Sequence, residues 1–223
     1  MEEKMSVHKI CMLGCTEAGH HIIEFLLHHG ISIDHFVTIA PERASNLNIS
    51  GYKNFESLAK SHNIPIYYPQ KYHLKTREDI AFFQEHKFDL IVQGGWQRLI
   101  PEEILSSLSI GAIGVHGSSD FLPRGRGRSP MNWSILEGKK RFILQLFMMQ
   151  PGADNGDIFA YEQFDINEHD TIKTLYYKNA IITKRLLLEY IPKLLTERVS
   201  FKKQTGMVSY YPKRTPEDGQ ILW

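Results

Sequence analysis

Short apolar runs alternate with amphipathic stretches along most of this chain. Residues 7–13 read as a strand that ends in a glycine-bearing turn, Gly14-Cys15-Thr16-Glu17-Ala18-Gly19. Ile22, Ile23, Leu26 and Leu27 then recur at helical spacing, Gly30 stops that helix, and residues 33–39 are predicted as the next strand. The alternation continues with a short helix over 55–62, a strand over 64–67, an amphipathic helix over 76–86 and a buried strand over 88–92. Pro101 opens another short helix. Residues 110–115 predict a fifth strand, with His116 at its carboxyl end. Strand, glycine turn, helix and strand in this order open a doubly wound α/β domain, whose ligands bind beyond the carboxyl ends of the strands.

The pattern changes after a helix over 130–136. Residues 141–149 and 158–164 read as strands, and the connection between them is too short for a parallel crossover, so they should pair antiparallel. A long helix over 171–195 follows, and the proline-rich tail 209–223 is expected to be irregular. The expected division is a main domain over 1–200 with a short C-terminal extension over 201–223. At 42% hydrophobic and 23% charged over 223 residues, the chain can bury a full core. Its formal net charge of +1 gives no broad field toward nucleic acid or anionic lipid. The start is charged, without the apolar core of a signal peptide, and no run is long enough to span a bilayer, so a cytoplasmic protein without membrane contact is expected. Cys11 and Cys15 are the only cysteines, so no disulfide framework is expected. They read as buried thiols or, with His20 and His21, as metal ligands, although the spacing matches no zinc pattern and the expectation is no metal.

Three segments carry candidate chemistry: VQGGWQRLIP over 92–101, GVHGSSDFLPRGRGRSP over 114–130 and QPGADNGDI over 150–158. On its own, His116 is a strand-end histidine or a proton-transfer group near neutral pH, and Asp154 is a turn-capping carboxylate or the partner that orients such an imidazole. Arg124, Arg126 and Arg128, set among glycines, are solvated loop charges or a mobile cationic loop able to meet a diphosphate.

In this order the three segments resemble the folate-dependent formyltransferase family, over roughly residues 7–191. The resemblance implies a Rossmann-like, mostly parallel sheet with an antiparallel strand pair and a long C-terminal helix. It also implies N10-formyltetrahydrofolate as co-substrate. By position it makes His116 and Asp154 catalytic, and Trp96, Gln97, Arg98, Ile100, Ser118, Leu122, Pro123, Gly152, Ala153 and Asp154 folate-binding. Arg124, Arg126 and Gly127 would then bind the acceptor. The family places an asparagine two residues before the histidine to hold the oxyanion, and here that position is Gly114. The loop after His116 is also two residues longer than the family's, and Asn132 is a candidate replacement donor. The tail over 210–219 resembles that of sugar-nucleotide formyltransferases. It points to the amine of a nucleotide-linked amino-deoxy sugar in surface glycan synthesis, with no nucleic acid partner, and it admits a homodimer. Glycinamide ribonucleotide formylation and a folate- or nucleotide-binding pseudoenzyme remain the alternatives.

Overall fold

The computed structural model describes residues 8–196 and 198–220. Chain order runs β1 (Ile10–Leu13), α1 (Glu17–His28), β2 (His35–Val37), α2 (Pro41–Ala44), α3 (Glu56–Ser61), β3 (Ile66–Tyr67), α4 (Arg77–His86), β4 (Leu90–Gln93) and α5 (Glu102–Leu105). It continues with β5 (Gly111–Ser118), β6 (Arg126–Gly127), α6 (Pro130–Leu136), β7 (Arg141–Met148), β8 (Ile158–Asp165), α7 (Ile172–Leu195) and β9 (Tyr210–Tyr211). The main sheet has the order β3-β2-β1-β4-β5-β7-β8. Its first five strands are parallel, while β7 runs antiparallel to β5 and β8 to β7. This is the doubly wound, mostly parallel architecture expected from the sequence, with α7 as the long C-terminal helix.

Both faces of the sheet are covered, so the central strand β1 is apolar at every position rather than at alternate ones. In β1, Ile10 and Met12 join the core beneath α1, α3 and α7, whereas Cys11 and Leu13 join the core beneath α4 and α5. Both cysteines are thus buried thiols in the second core. The glycine turn has a steric cause. A Cβ on Gly19 would stand 1.7 Å from the Gly94 carbonyl oxygen, so only glycine lets α1 start this close to the end of β4.

Two expectations change. Strand β5 does not stop at Val115 but runs to Ser118, which places His116 inside the strand. The reason is its antiparallel neighbour: β4 supports β5 only as far as Ile113, and β7 carries the ladder on to Ser118. His116 therefore still stands beyond the carboxyl end of the parallel ladder. The tail is not uniformly irregular either. Its Tyr210–Tyr211 pairs in parallel with Arg126–Gly127, and Lys202 bridges to Ile158, so the described part of the extension packs into the main body. No helix among the described residues is long and apolar enough to cross a membrane.

Helix α7 begins on a polar knot. Asp170 accepts from Asn167 N at 2.9 Å, from Lys178 Nζ at 2.7 Å and from Thr174 Oγ1 at 2.9 Å. The Asn167 N–H, followed by the Lys178 ammonium, holds its carboxyl at about 2, below the usual carboxylate range. A carboxylate lowered on folding stabilises the native state above its unfolded pKa of about 3.9, and that contribution fades as pH falls toward about 2. Thermal melts should therefore show Asp170→Asn less stable than the wild type at pH 7, with the gap closing between about pH 4 and pH 2.

Candidate active site

The imidazole of His116 is held at both nitrogens. Nδ1 lies 3.3 Å from Asp154 Oδ1, and Nε2 lies 2.7 Å from the carbonyl oxygen of Gly125. Both partners are acceptors, so only the doubly protonated ring donates to each at once. A neutral ring carrying its proton on Nδ1, toward Asp154, offers a free lone pair at Nε2 when the Gly125 carbonyl moves away. Asp154 sits at φ +49 in the loop between β7 and β8, and its second oxygen accepts the Gly127 N–H at 2.8 Å. One carboxylate thereby bridges the histidine and the loop that covers it, and His116 is left 8% exposed.

That loop, residues 119–128, is fastened by the tail. Gly125 N donates to Ser209 Oγ at 2.9 Å, Arg126 N to Ser209 O at 3.0 Å and Arg128 N to Tyr211 O at 2.9 Å. The approach demands glycine, because a Cβ on Gly127 would stand 2.4 Å from Tyr211 O. The tail thus closes the loop over His116 in this structure. Arg124 and Arg128 are exposed, but Arg126 is 8% exposed and donates to Asn155 Oδ1 at 3.2 Å, to Gln204 Oε1 and to Tyr210 Oη at 3.5 Å. Gln204 also donates to the carbonyls of Asp154 and Gly156, which ties the arginine to the aspartate's own turn. Residues 123, 126, 150, 155–157, 203, 204, 206 and 208 line a cavity of about 360 Å³ here.

The remaining expected residues distribute unevenly. Ser118 is buried at the end of β5, and Leu122 and Pro123 are buried residues of the loop itself. Gly152 is exposed, and Ala153 is half-buried beside Asp154. Residues 96–100 follow β4, so they lie beyond the same end of the parallel strands as His116. The Gln97 N–H is donated to Tyr72 Oη at 3.1 Å, its side chain is donated to Ser50 O, and the Arg98 guanidinium lies over the Tyr72 ring. Trp96 and Ile100 are core residues, although the Trp96 indole N–H is buried without a partner. This orphaned donor stands just past the end of β4.

Asn132 lies on α6, where its Oδ1 accepts from Tyr176 Oη of α7 at 3.4 Å. The space that an asparagine at 114 would use is filled by Phe147, its cross-strand partner, because a Cβ on Gly114 would lie 2.3 Å from the phenyl ring. Sequence reasoning missed Phe147, Gln204, Asn155 and Tyr72. Only the Tyr210-Tyr211 pair carried a readable signal, two strand-favouring residues directly before a proline.

A family model described as formyl transferase matches residues 45–191. The methionyl-tRNA formyltransferase of Lactobacillus gasseri is 30% identical over 213 residues, 95% of this chain and 67% of its own length. A sugar N-formyltransferase from a Shewanella species superimposes with a TM-score of 0.69 at 20% identity, over 92% of this chain and 76% of its own. The N-formyltransferase from Helicobacter canadensis, in complex with folinic acid and dTDP-3-aminofucose, gives 0.67 at 16% identity, over 92% and 71%.

The filled space at Gly114 makes a measurable demand. Gly114→Asn alone should destabilise the protein by roughly 1–3 kcal/mol through overpacking. A double-mutant cycle with Phe147→Ala should show favourable coupling of about 1 kcal/mol or more in chemical denaturation. Additive effects would mean that the ring is not what excludes the side chain. With a family model matched across residues 45–191 and a 30% identical relative spanning almost the whole chain, the chain belongs to the folate-dependent formyltransferase family.

Proposed function

We propose that this formyltransferase moves the formyl group of N10-formyltetrahydrofolate to the amine of a nucleotide-linked amino-deoxy sugar. The observation that carries the acceptor class is Arg126. Its buried guanidinium has only neutral acceptors, its Nε is unpartnered, and with Lys203 it lines the cavity beside Asp154. A buried cation without a carboxylate is stabilised by an anionic ligand, and a guanidinium suits the oxygens of a diphosphate. A cavity of about 360 Å³ suits a small phosphorylated ligand better than a tRNA. The dTDP-sugar and folate analogue bound to the Helicobacter relative support the same pairing of substrates.

In this reading the folate supplies the activated formyl carbon. His116 accepts the amine proton at Nε2 once the Gly125 carbonyl has withdrawn. Asp154 keeps the ring oriented and supports its charged form. Trp96, Gln97, Arg98 and Ile100 form one wall of the folate site, and Ser118, Leu122, Pro123, Gly152 and Ala153 the other. Arg124, Arg126 and Gly127 lie on the acceptor side.

A second acceptor has its own support, because the 30% identical Lactobacillus protein is a methionyl-tRNA formyltransferase. A panel with formyl-tetrahydrofolate separates them. Amino sugars linked to dTDP or UDP should be formylated, while methionyl-tRNA and glycinamide ribonucleotide should not, and a preference for either of those overturns the sugar assignment. With the best acceptor, His116→Ala and Asp154→Asn should each lower kcat by roughly 100- to 10,000-fold. Arg126→Ala should act mainly by raising KM for the nucleotide sugar about tenfold or more.

A further inference from the structure

Formyl transfer passes through a tetrahedral carbon with a negative oxygen, and the amide that holds this oxygen elsewhere in the family is absent at Gly114. A different amide stands beside His116. Gln145 on β7 is the direct antiparallel partner of His116 on β5, so the two side chains rise from adjacent strands on the same face of the sheet. Gln145 is fully buried, its Oε1 accepts the Leu122 N–H at 3.1 Å, and its Nε2 has no hydrogen-bond partner. A buried amide that is satisfied at one end and unpaired at the other is uncommon, because an unmade hydrogen bond in the interior is expensive. The same loop covers both side chains: Leu122 meets Gln145, and Gly125 meets the reactive nitrogen of His116. Lifting the loop for the acceptor amine therefore opens one layer holding a proton acceptor and a spare N–H donor.

We infer that the Gln145 side-chain amide is the oxyanion donor of this enzyme, in place of the asparagine missing at Gly114; this rests on the formyl-transfer reading above. In the step it serves, the amine lone pair forms the new C–N bond and the carbonyl π pair moves onto the formyl oxygen, which takes the Nε2–H hydrogen bond. The amine proton passes to His116. The oxygen pair then re-forms the carbonyl, the bond to folate N10 breaks, and N10 receives the proton from the imidazolium.

The test uses the full-length enzyme, formyl-tetrahydrofolate and hydroxylamine as a small surrogate amine, so that the natural acceptor need not be known. Gln145→Glu keeps an acceptor for the Leu122 N–H but loses the amide donor, and Gln145→Met keeps the volume but loses both. Folding is checked by circular dichroism and folate binding by calorimetry. Both variants should bind folate like the wild type and lose roughly 100-fold in kcat, with KM within about threefold. If Gln145→Met is slow and Gln145→Glu is normal, the residue only holds the loop; the reverse pattern indicts the added charge. Either result overturns the assignment, as does near-wild-type turnover in both. A wild type that binds folate but forms no formylated hydroxylamine fails at the formyl-transfer reading itself and takes the assignment with it.

Discussion

The carboxylate of Asp154 ties together parts of the chain that are otherwise held by separate elements. One oxygen reaches the imidazole on β5 and the other takes the Gly127 N–H, while the backbone carbonyl of the same residue accepts from Gln204 in the tail. Sheet, covering loop and extension meet at this one residue. Its left-handed backbone lets the short turn between β7 and β8 aim the carboxylate back toward the sheet edge.

Around that anchor the charges are arranged asymmetrically. On one side His116 faces acceptors only, and on the other the Arg126 guanidinium faces neutral oxygens only. Neither arrangement is complete: a neutral imidazole cannot donate to both of its acceptors, and the arginine's Nε is unpartnered. Across the sheet, the exchange of an asparagine site for Gly114 plus the Phe147 ring converts a polar position into an apolar one, and Phe147 packs with Leu122 and Ile158 beneath the loop.

The sequence disclosed the fold well because strands buried on both faces and amphipathic helices leave strong local patterns. Thr76 and Thr171, read as helix starts, are the N-caps of α4 and α7. His116 and Asp154 were legible because their chemistry and flanking glycines sit in short contiguous motifs, and the structure brings the two into contact. What could not be read was cross-strand or long-range. The length of β5 depends on β7, the fate of Arg126 depends on Gln204 and Tyr210, and the orphaned amide of Gln145 becomes visible only when its neighbours are known. Arg126 looked solvated because a Gly-Arg-Gly run carries no sign of the tail that covers it.

The short ladder between β6 and β9 also bears on the order in which the molecule assembles. Its two sides are joined by contacts between residues 84 apart in sequence, whereas the β7–β8 pair closes over the loop 149–157. Pairings of such separation form late, because the intervening chain must first be brought together. As the polypeptide emerges from the ribosome, the main sheet and α7 can be in place while the glycine–arginine loop still has no partner strand. Until residues 209–211 are made, the loop over the histidine lacks the tail's hydrogen bonds and rests on contacts such as those with His116, Gln145 and Asp154.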